Sequence, residues 1–75
     1  MEIIVFGQLT DITGSASLQV EATADTDTLL RTLQRRYPQL TSSKYVVAVN
    51  KKIITANTAV SDADTIALLP PFSGG

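Results

Sequence analysis

The sequence predicts an α+β domain in which a mixed sheet of about five strands curls around one main helix. The chain has 75 residues, enough for one domain with a thin hydrophobic core. Short runs rich in β-branched residues stand on both sides of a single segment with helical spacing. Pro70 and Pro71 then end all regular structure, because proline supplies no hydrogen-bond donor to a sheet.

Two strands are predicted before the helix. Residues 2–8 are rich in Ile and Val and form too short a run for a helix of this kind, which favours a strand. Residues 16–22 alternate apolar and polar side chains, which is the pattern of a half-buried strand. Residues 9–15 contain Asp, Thr and Gly, a composition typical of a turn. The two strands are therefore predicted to form an antiparallel hairpin.

One amphipathic helix of about three turns is predicted next. Its apolar positions fall three or four apart after the first pair: Leu29, Leu30, Leu33 and Tyr37. Asp25 and Asp27 suit its start, because a carboxylate accepts hydrogen bonds from the unpaired N–H groups there. Pro38 disfavours helical geometry at Tyr37, so the helix is predicted to end at that residue.

Three further strands are predicted after the helix. They cover residues 44–49, 53–55 and 65–69, with turns at 50–52 and 61–64. Two strands, a helix and three strands match the β-grasp, or ubiquitin-like, arrangement, although other small α+β folds share this order. We predict a domain over residues 1–69 and a flexible, extended tail over residues 70–75.

The composition argues against several classes of function. The net charge is −1, so neither the basic face of a nucleic-acid-binding protein nor attraction to an anionic membrane is expected. The chain has no Cys and no His, which leaves no disulfide framework, no usual zinc ligands and no thiolate nucleophile. The first residues do not form a signal peptide, and no stretch is long and apolar enough to span a bilayer. We therefore expect a cytoplasmic protein.

No group of residues predicts a catalytic or metal site. Asp62 and Asp64 are interpreted as turn-forming residues and not as metal ligands. The absence of His excludes a Ser/His/Asp triad. Lys51 and Lys52 form a basic pair in a turn, interpreted as solvated, with a contact to a partner protein as the alternative. We expect this chain to bind no cofactor and to have no catalytic machinery of its own.

The predicted first and last strands are apolar at both odd-numbered and even-numbered positions (both parities), so that both of their faces are apolar. The residues concerned are Ile3, Ile4, Val5 and Phe6 in the first strand, and Ile66, Ala67, Leu68 and Leu69 in the last. One helix covers only one face of the sheet, so the other face lacks cover within the chain. One interpretation is that central strands are simply more apolar. The other is an apolar patch that binds a partner protein, with Phe6 and Leu69 as candidates and Ile53 as a third, its parity undetermined.

The last six residues form a pattern with a physical use for each part. They are Pro70-Pro71-Phe72-Ser73-Gly74-Gly75. The prolines stiffen the exit from the sheet, and six extended residues reach about 20 Å. The two glycines have no Cβ, so they fit a channel that admits little more than backbone. Glycine-rich ends are also common as frayed termini, but the prolines, the aromatic residue and the two final glycines together are more specific.

These residues resemble the MoaD/ThiS family of ubiquitin-like sulfur carriers, and within it the small subunits of molybdopterin synthase. The resemblance covers essentially the whole chain. It is strongest in residues 46–50, in residues 61–67 and in residues 70–75. It extends to Val5-Phe6-Gly7-Gln8-Leu9 and on through Gly14, and to Arg36-Tyr37-Pro38. The double proline before the glycines is the most discriminating mark, since carriers of the thiamin pathway share the glycines but usually lack it.

The resemblance implies a β-grasp fold and a reaction cycle. A ubiquitin-activating-like adenylyltransferase would use ATP-Mg to adenylate Gly75, and a sulfur donor would convert the adenylate to a thiocarboxylate. The tail would then enter the large catalytic subunit of molybdopterin synthase and donate sulfur to cyclic pyranopterin monophosphate. The usual assembly of the family is a heterotetramer. The family's apolar contact positions correspond to Phe6, Ile53 and Leu69, and partner contacts are also expected along the tail, at Pro70, Pro71, Phe72, Ser73 and Gly74.

Two alternatives stay open at this point. The chain could be a sulfur carrier of another pathway, such as thiamin thiazole synthesis, or a ubiquitin-like modifier. It could also be a β-grasp interaction module without sulfur chemistry, in which case the sheet face alone would carry the function and deletion of Gly74-Gly75 would leave it intact.

Overall fold

The computed structural model describes residues 1–71. Its five strands are β1 (Glu2–Val5), β2 (Ser17–Gln19), β3 (Val46–Val49), β4 (Lys52–Ile54) and β5 (Ile66–Leu69). Its two α-helices are α1 (Thr10–Thr13) and α2 (Thr26–Arg36), and short 3₁₀ segments cover Gly7–Leu9 and Pro38–Ser42. None of these helices is long and apolar enough to cross a membrane.

The strands form one mixed sheet in the order β2-β1-β5-β3-β4. The central strands β1 and β5 pair in parallel, with Ile3 opposite Ile66, and the other three pairings are antiparallel. Helix α2 packs across one face of this sheet. The predicted β-grasp fold is therefore confirmed, as is the predicted antiparallel pairing of the first two strands.

The hydrophobic core lies between α2 and one face of the sheet. Ile3 and Val5 alternate into it from β1, and Leu29 and Leu33 enter it from α2. Each fully buried aliphatic side chain of this kind contributes about 1.5–3 kcal/mol through removal of apolar surface from water. The spacing of Leu29 and Leu33 is one helical turn, which explains why both reach the same face of the sheet.

One carboxylate and one side-chain amide fix the start of α2. The Asp25 carboxylate accepts a hydrogen bond from the backbone N–H of Thr28 at 3.0 Å, which caps the helix as its sequence predicted. The amide of Asn57 donates to Asp25 at 3.2 Å and accepts from the backbone N–H of Asp27 at 2.9 Å. The segment after β4 is thereby attached to the first turn of the helix.

Residues 9–15 do not form the predicted turn. The chain instead follows the 3₁₀ segment and α1 before it reaches β2, and α1 ends at Gly14 in the left-handed conformation at φ 75°. Burial of Leu9 against the core explains the difference, because a helical turn brings this side chain inward where a loop of polar residues would not. The composition of the segment gave no signal for this, since its apolar residues are too few to show a period.

The predicted end of α2 is correct, but the chain does not become extended there. Pro38 begins a 3₁₀ segment in which Leu40 is buried. Proline is compatible with the first position of such a turn, where its missing N–H has no partner to lose. Leu40 thus adds to the core beyond the helix.

A tight hairpin joins β3 to β4. Val49 pairs with Lys52, which leaves Asn50 and Lys51 as a two-residue turn, both with positive φ. The amide of Asn50 donates to the Asp64 carboxylate at 2.9 Å and accepts from the backbone N–H of Thr65 at 3.0 Å. The hairpin tip is therefore bonded to the turn that precedes β5.

Acid should weaken the fold through two carboxylates. Hydrogen bonds from Thr28 hold the pKa of Asp25 below its ordinary value of 3.8, and hydrogen bonds from Asn50 and Ser61 do the same for Asp64. A lowered pKa in the folded state means that this stabilisation is present above the ordinary pKa and is lost as pH falls below it. We expect the stability advantage of the wild type over the double variant Asp25→Asn/Asp64→Asn to shrink as the pH falls from about 5 to below the ordinary pKa of 3.8. Urea unfolding across this range measures it, and an advantage that does not vary with pH would contradict the assignment.

Candidate functional site

The face of the sheet opposite α2, here called the outer face, is apolar across four strands. Ile4 lies opposite Ala67, Ala67 opposite Ala48, and Ala48 opposite Ile53. Directly paired residues point to the same side of a sheet, so all four side chains form one row. This pairing settles the parity of Ile53, which the sequence alone did not fix.

The outer face exposes two large apolar side chains. Phe6 is 46% exposed and Ile53 is 51% exposed, whereas the other strand residues of the row are half-buried or buried. Between them runs a shallow groove of about 360 Å³. Its lining consists of Ile4, Phe6, Ala48, Lys51, Ile53, Thr65, Ala67 and Leu69. The three residues singled out in the sequence, Phe6, Ile53 and Leu69, thus lie on one continuous surface.

The tail begins at one end of this groove. Leu69 ends β5 opposite Val46, and the backbone N–H of Phe6 donates to the carbonyl of Leu68 at 3.0 Å. Pro70 follows directly and is half-buried, and Pro71 is exposed. The predicted partner contacts and reactive group at Phe72, Ser73, Gly74 and Gly75 lie outside the described residues.

Gly7 makes room for the base of the tail. Its φ is +59°, and a Cβ built on it would lie 2.7 Å from Cγ of Pro70. Such a distance is far below van der Waals contact, so the proline ring occupies space that only glycine leaves open. The sequence did not identify Gly7 as important, because its contact with Pro70 depends on the parallel pairing of β1 with β5.

Among the described residues that line the groove, one carries a charge. Lys51, at the tip of the β3–β4 hairpin, is the charged residue among those that line it. Glu2 also belongs to β1, but its carboxylate accepts a hydrogen bond from the hydroxyl of Ser17 on the neighbouring edge strand at 3.0 Å. The groove is therefore apolar along its length, with one positive charge at its rim.

Two further depressions lie beside α2, and neither is continuous with the tail. One, of about 500 Å³, lies between α2 and β4 and includes Leu30, Tyr45 and Ile54. The other, of about 680 Å³, lies between α2 and the edge strand β2 and includes Val20 and Arg36. Leu69 and Pro70 line neither of them. Within residues 1–71, no three carboxylates come together in an arrangement that could hold a metal ion.

Several known proteins are similar to this chain in sequence and in fold. The model of the ThiS family matches residues 3–75. The molybdopterin synthase sulfur carrier subunit of Dictyostelium discoideum is 32% identical, over 99% of this chain and 94% of that protein. Small archaeal modifier protein 1 of Haloferax volcanii superimposes with a TM-score of 0.80 at 27% identity, over 99% of this chain and 97% of that one.

A third similarity is to a chain in the complex of subunits 1 and 2 of the molybdopterin-converting factor of Helicobacter pylori 26695. The TM-score is 0.72 at 27% identity, over 99% of this chain and 96% of that one. The similarity to these proteins therefore extends over the β-grasp domain as a whole and not over a single motif.

The contact between Gly7 and Pro70 can be separated from backbone strain by two alanine substitutions. Gly7 and Gly14 both have positive φ, but the space around Gly14 is open. Gly14→Ala should lower the free energy of unfolding by about 1 kcal/mol, the cost of a Cβ in the left-handed region. Gly7→Ala should lower it further, because Pro70 must also move. Urea unfolding of both variants measures the difference, and equal losses would show that Pro70 does not depend on Gly7.

Proposed function

Because this chain belongs to the ThiS family, we propose that it is the sulfur-carrier small subunit of molybdopterin synthase, with the carboxylate of Gly75 as its reactive group. One observation supports the proposal most strongly. The outer face is apolar, and Leu69, the last residue before the tail, lies at its edge, so a protein bound to the groove would be in position to receive the tail. The name of the Dictyostelium relative and the Pro-Pro pair before the terminal glycines point to the molybdopterin branch of the family.

Activation of the tail requires a partner enzyme. A free carboxylate is a poor electrophile, so its oxygen must first be made part of a leaving group. An adenylyltransferase resembling ubiquitin-activating enzymes would bind ATP-Mg, join Gly75 to AMP and release pyrophosphate. Hydrosulfide released by a sulfur donor would then attack the acyl carbon, AMP would leave with one carboxylate oxygen, and loss of the S–H proton would give a thiocarboxylate. This chain contributes the acyl group and the docking face, and the nucleotide is bound by the partner.

Delivery of sulfur requires a second partner, the large catalytic subunit of the synthase. The Helicobacter complex of two subunits of a molybdopterin-converting factor supports such a pairing. Phe6, Ile53 and Leu69 would anchor the carrier, and Pro70-Pro71 would direct the tail away from the sheet. The backbone of Gly74-Gly75 would then enter the active site, where cyclic pyranopterin monophosphate accepts the sulfur. A dithiolene contains two sulfur atoms, so each product consumes two charged carriers.

A second function deserves a test, because small archaeal modifier protein 1 has the same fold over nearly its whole length. A modifier would activate Gly75 in the same way but transfer the acyl group to an amine of another protein. The two functions share the adenylate and differ in the nucleophile that attacks it.

The proposal is tested by intact-mass spectrometry after incubation with the activating enzyme, ATP and a sulfur donor. We expect the mass to rise by the difference between one sulfur and one oxygen atom. A matched chain with one alanine added after Gly75 should show no such change, because the added Cβ crowds the reacting carbonyl and displaces it from the activating site. Sulfur transfer should follow when the large subunit and its pterin substrate are added. An unchanged mass, or a covalent adduct with other proteins in place of a thiocarboxylate, would contradict the proposed function.

A further inference from the structure

Lys51 places a positive charge at the rim of an otherwise uncharged groove. Among residues 1–71, no carboxylate lies within ion-pairing distance of its ammonium group. Asp64 adjoins the same turn, but its two carboxylate oxygens accept hydrogen bonds from the Asn50 side chain at 2.9 Å and the Ser61 backbone at 2.8 Å. The ammonium group of Lys51 can therefore form an ion pair with a carboxylate that does not belong to residues 1–71.

The backbone at Lys51 is unfavourable for a lysine. Its φ is 71°, and the second position of this kind of two-residue hairpin turn strongly favours glycine. A side chain there costs conformational free energy that glycine would avoid. Strain of this kind is often retained where the side chain itself has a function. Lys52 has the same charge, but it belongs to β4, pairs with Val49 and does not line the groove.

Lys51 and Leu69, the last residue before the tail, lie at opposite ends of the groove. The groove follows β5 from Thr65, beside Lys51, to Leu69, where the tail begins. Four residues of extended strand span about 13 Å. A partner that fills the groove and accepts the tail therefore faces Lys51 at its far edge.

We propose that the large synthase subunit, when it receives the tail, places an Asp or Glu side chain against Lys51. This side chain lies beside the subunit's apolar side chains that fill the groove. This inference rests on the proposed function, since it concerns the same docking face, and it adds the charge by which the partner is selected. An ion pair at the rim of an apolar interface raises the association rate and disfavours partners that present a cation there. Lys51 thus acts as a specificity residue, while Phe6, Ile53 and Leu69 supply the apolar contact.

Calorimetry with the large synthase subunit tests the proposal, using two charge reversals that differ only in position. Lys51→Glu should weaken binding about tenfold at low salt, whereas Lys52→Glu should weaken it less than about threefold. The difference in affinity between the two variants should become smaller at about 0.5 M salt, because dissolved ions screen the interactions of exposed charges. Equal affinities for the two variants would overturn the inference. Absence of binding by the wild type would instead contradict the proposed function.

A third variant separates the role of the side chain from its effect on folding. Lys51→Gly relieves the positive φ, so we expect the melting temperature to rise by about 4 °C. The same variant should bind the large subunit more weakly than the wild type, because the ammonium group is gone. A more stable variant with undiminished affinity would overturn the inference.

Cross-linking identifies the group that faces Lys51. A water-soluble carbodiimide joins a lysine amine to a carboxylate as an amide, and the oxygen that leaves is taken up in the urea by-product. In the complex, we expect a peptide that contains Lys51 linked to an Asp or Glu of the large subunit. A link from Lys51 to Gly75 of the same chain would show that the carrier's own tail occupies the site, and it would overturn the inference.

Discussion

The parallel pairing of β1 with β5 at the centre of the sheet is the interaction on which the rest of the structure depends. It places Ile3 and Ile66 side by side beneath α2, and on the other face it places Ile4 beside Ala67. One helix can cover only one side of this sheet, so within residues 1–71 the outer face stays apolar and uncovered. The same pairing brings the end of β5 next to Gly7, where Pro70 begins the tail.

In the proposed function, docking and delivery of sulfur are separate tasks for separate parts of the chain. The groove would bind a partner through strands, where the positions of the side chains are set by pairing register. The tail would supply the reactive group. Such a division would explain how a domain too small for a catalytic cleft takes part in chemistry. It would also explain why the predicted reactive segment consists of prolines and backbone, with no acid, base or metal ligand.

Much of the fold and of the candidate site follows from local patterns in the sequence. The spacing of Leu29 and Leu33 predicted α2, and the apolar residues at both parities of the first and last strands predicted an uncovered face that includes Phe6 and Leu69. The features that the sequence mispredicted, left open or gave no sign of depend on contacts distant in sequence. The helical segment before β2 forms because Leu9 meets a core contributed by other elements, and the side of Ile53 is set by its pairing with Ala48. Pro70 lies 63 positions after Gly7 in the chain, and no local sequence pattern predicts the contact between them.

The central claim is that partners bind the outer face, and methyl NMR of the carrier with the large synthase subunit tests it most directly. Methyl groups of Ile4, Ile53 and Leu69 lie on the outer face, and those of Leu29 and Leu33 lie under α2. We expect the NMR signals of the first group to shift or broaden on binding, while those of the second group keep the chemical shifts of the free protein. Binding that perturbs residues lining the depressions beside α2, such as Leu30 and Val20, and leaves the outer-face methyl groups unchanged would contradict it.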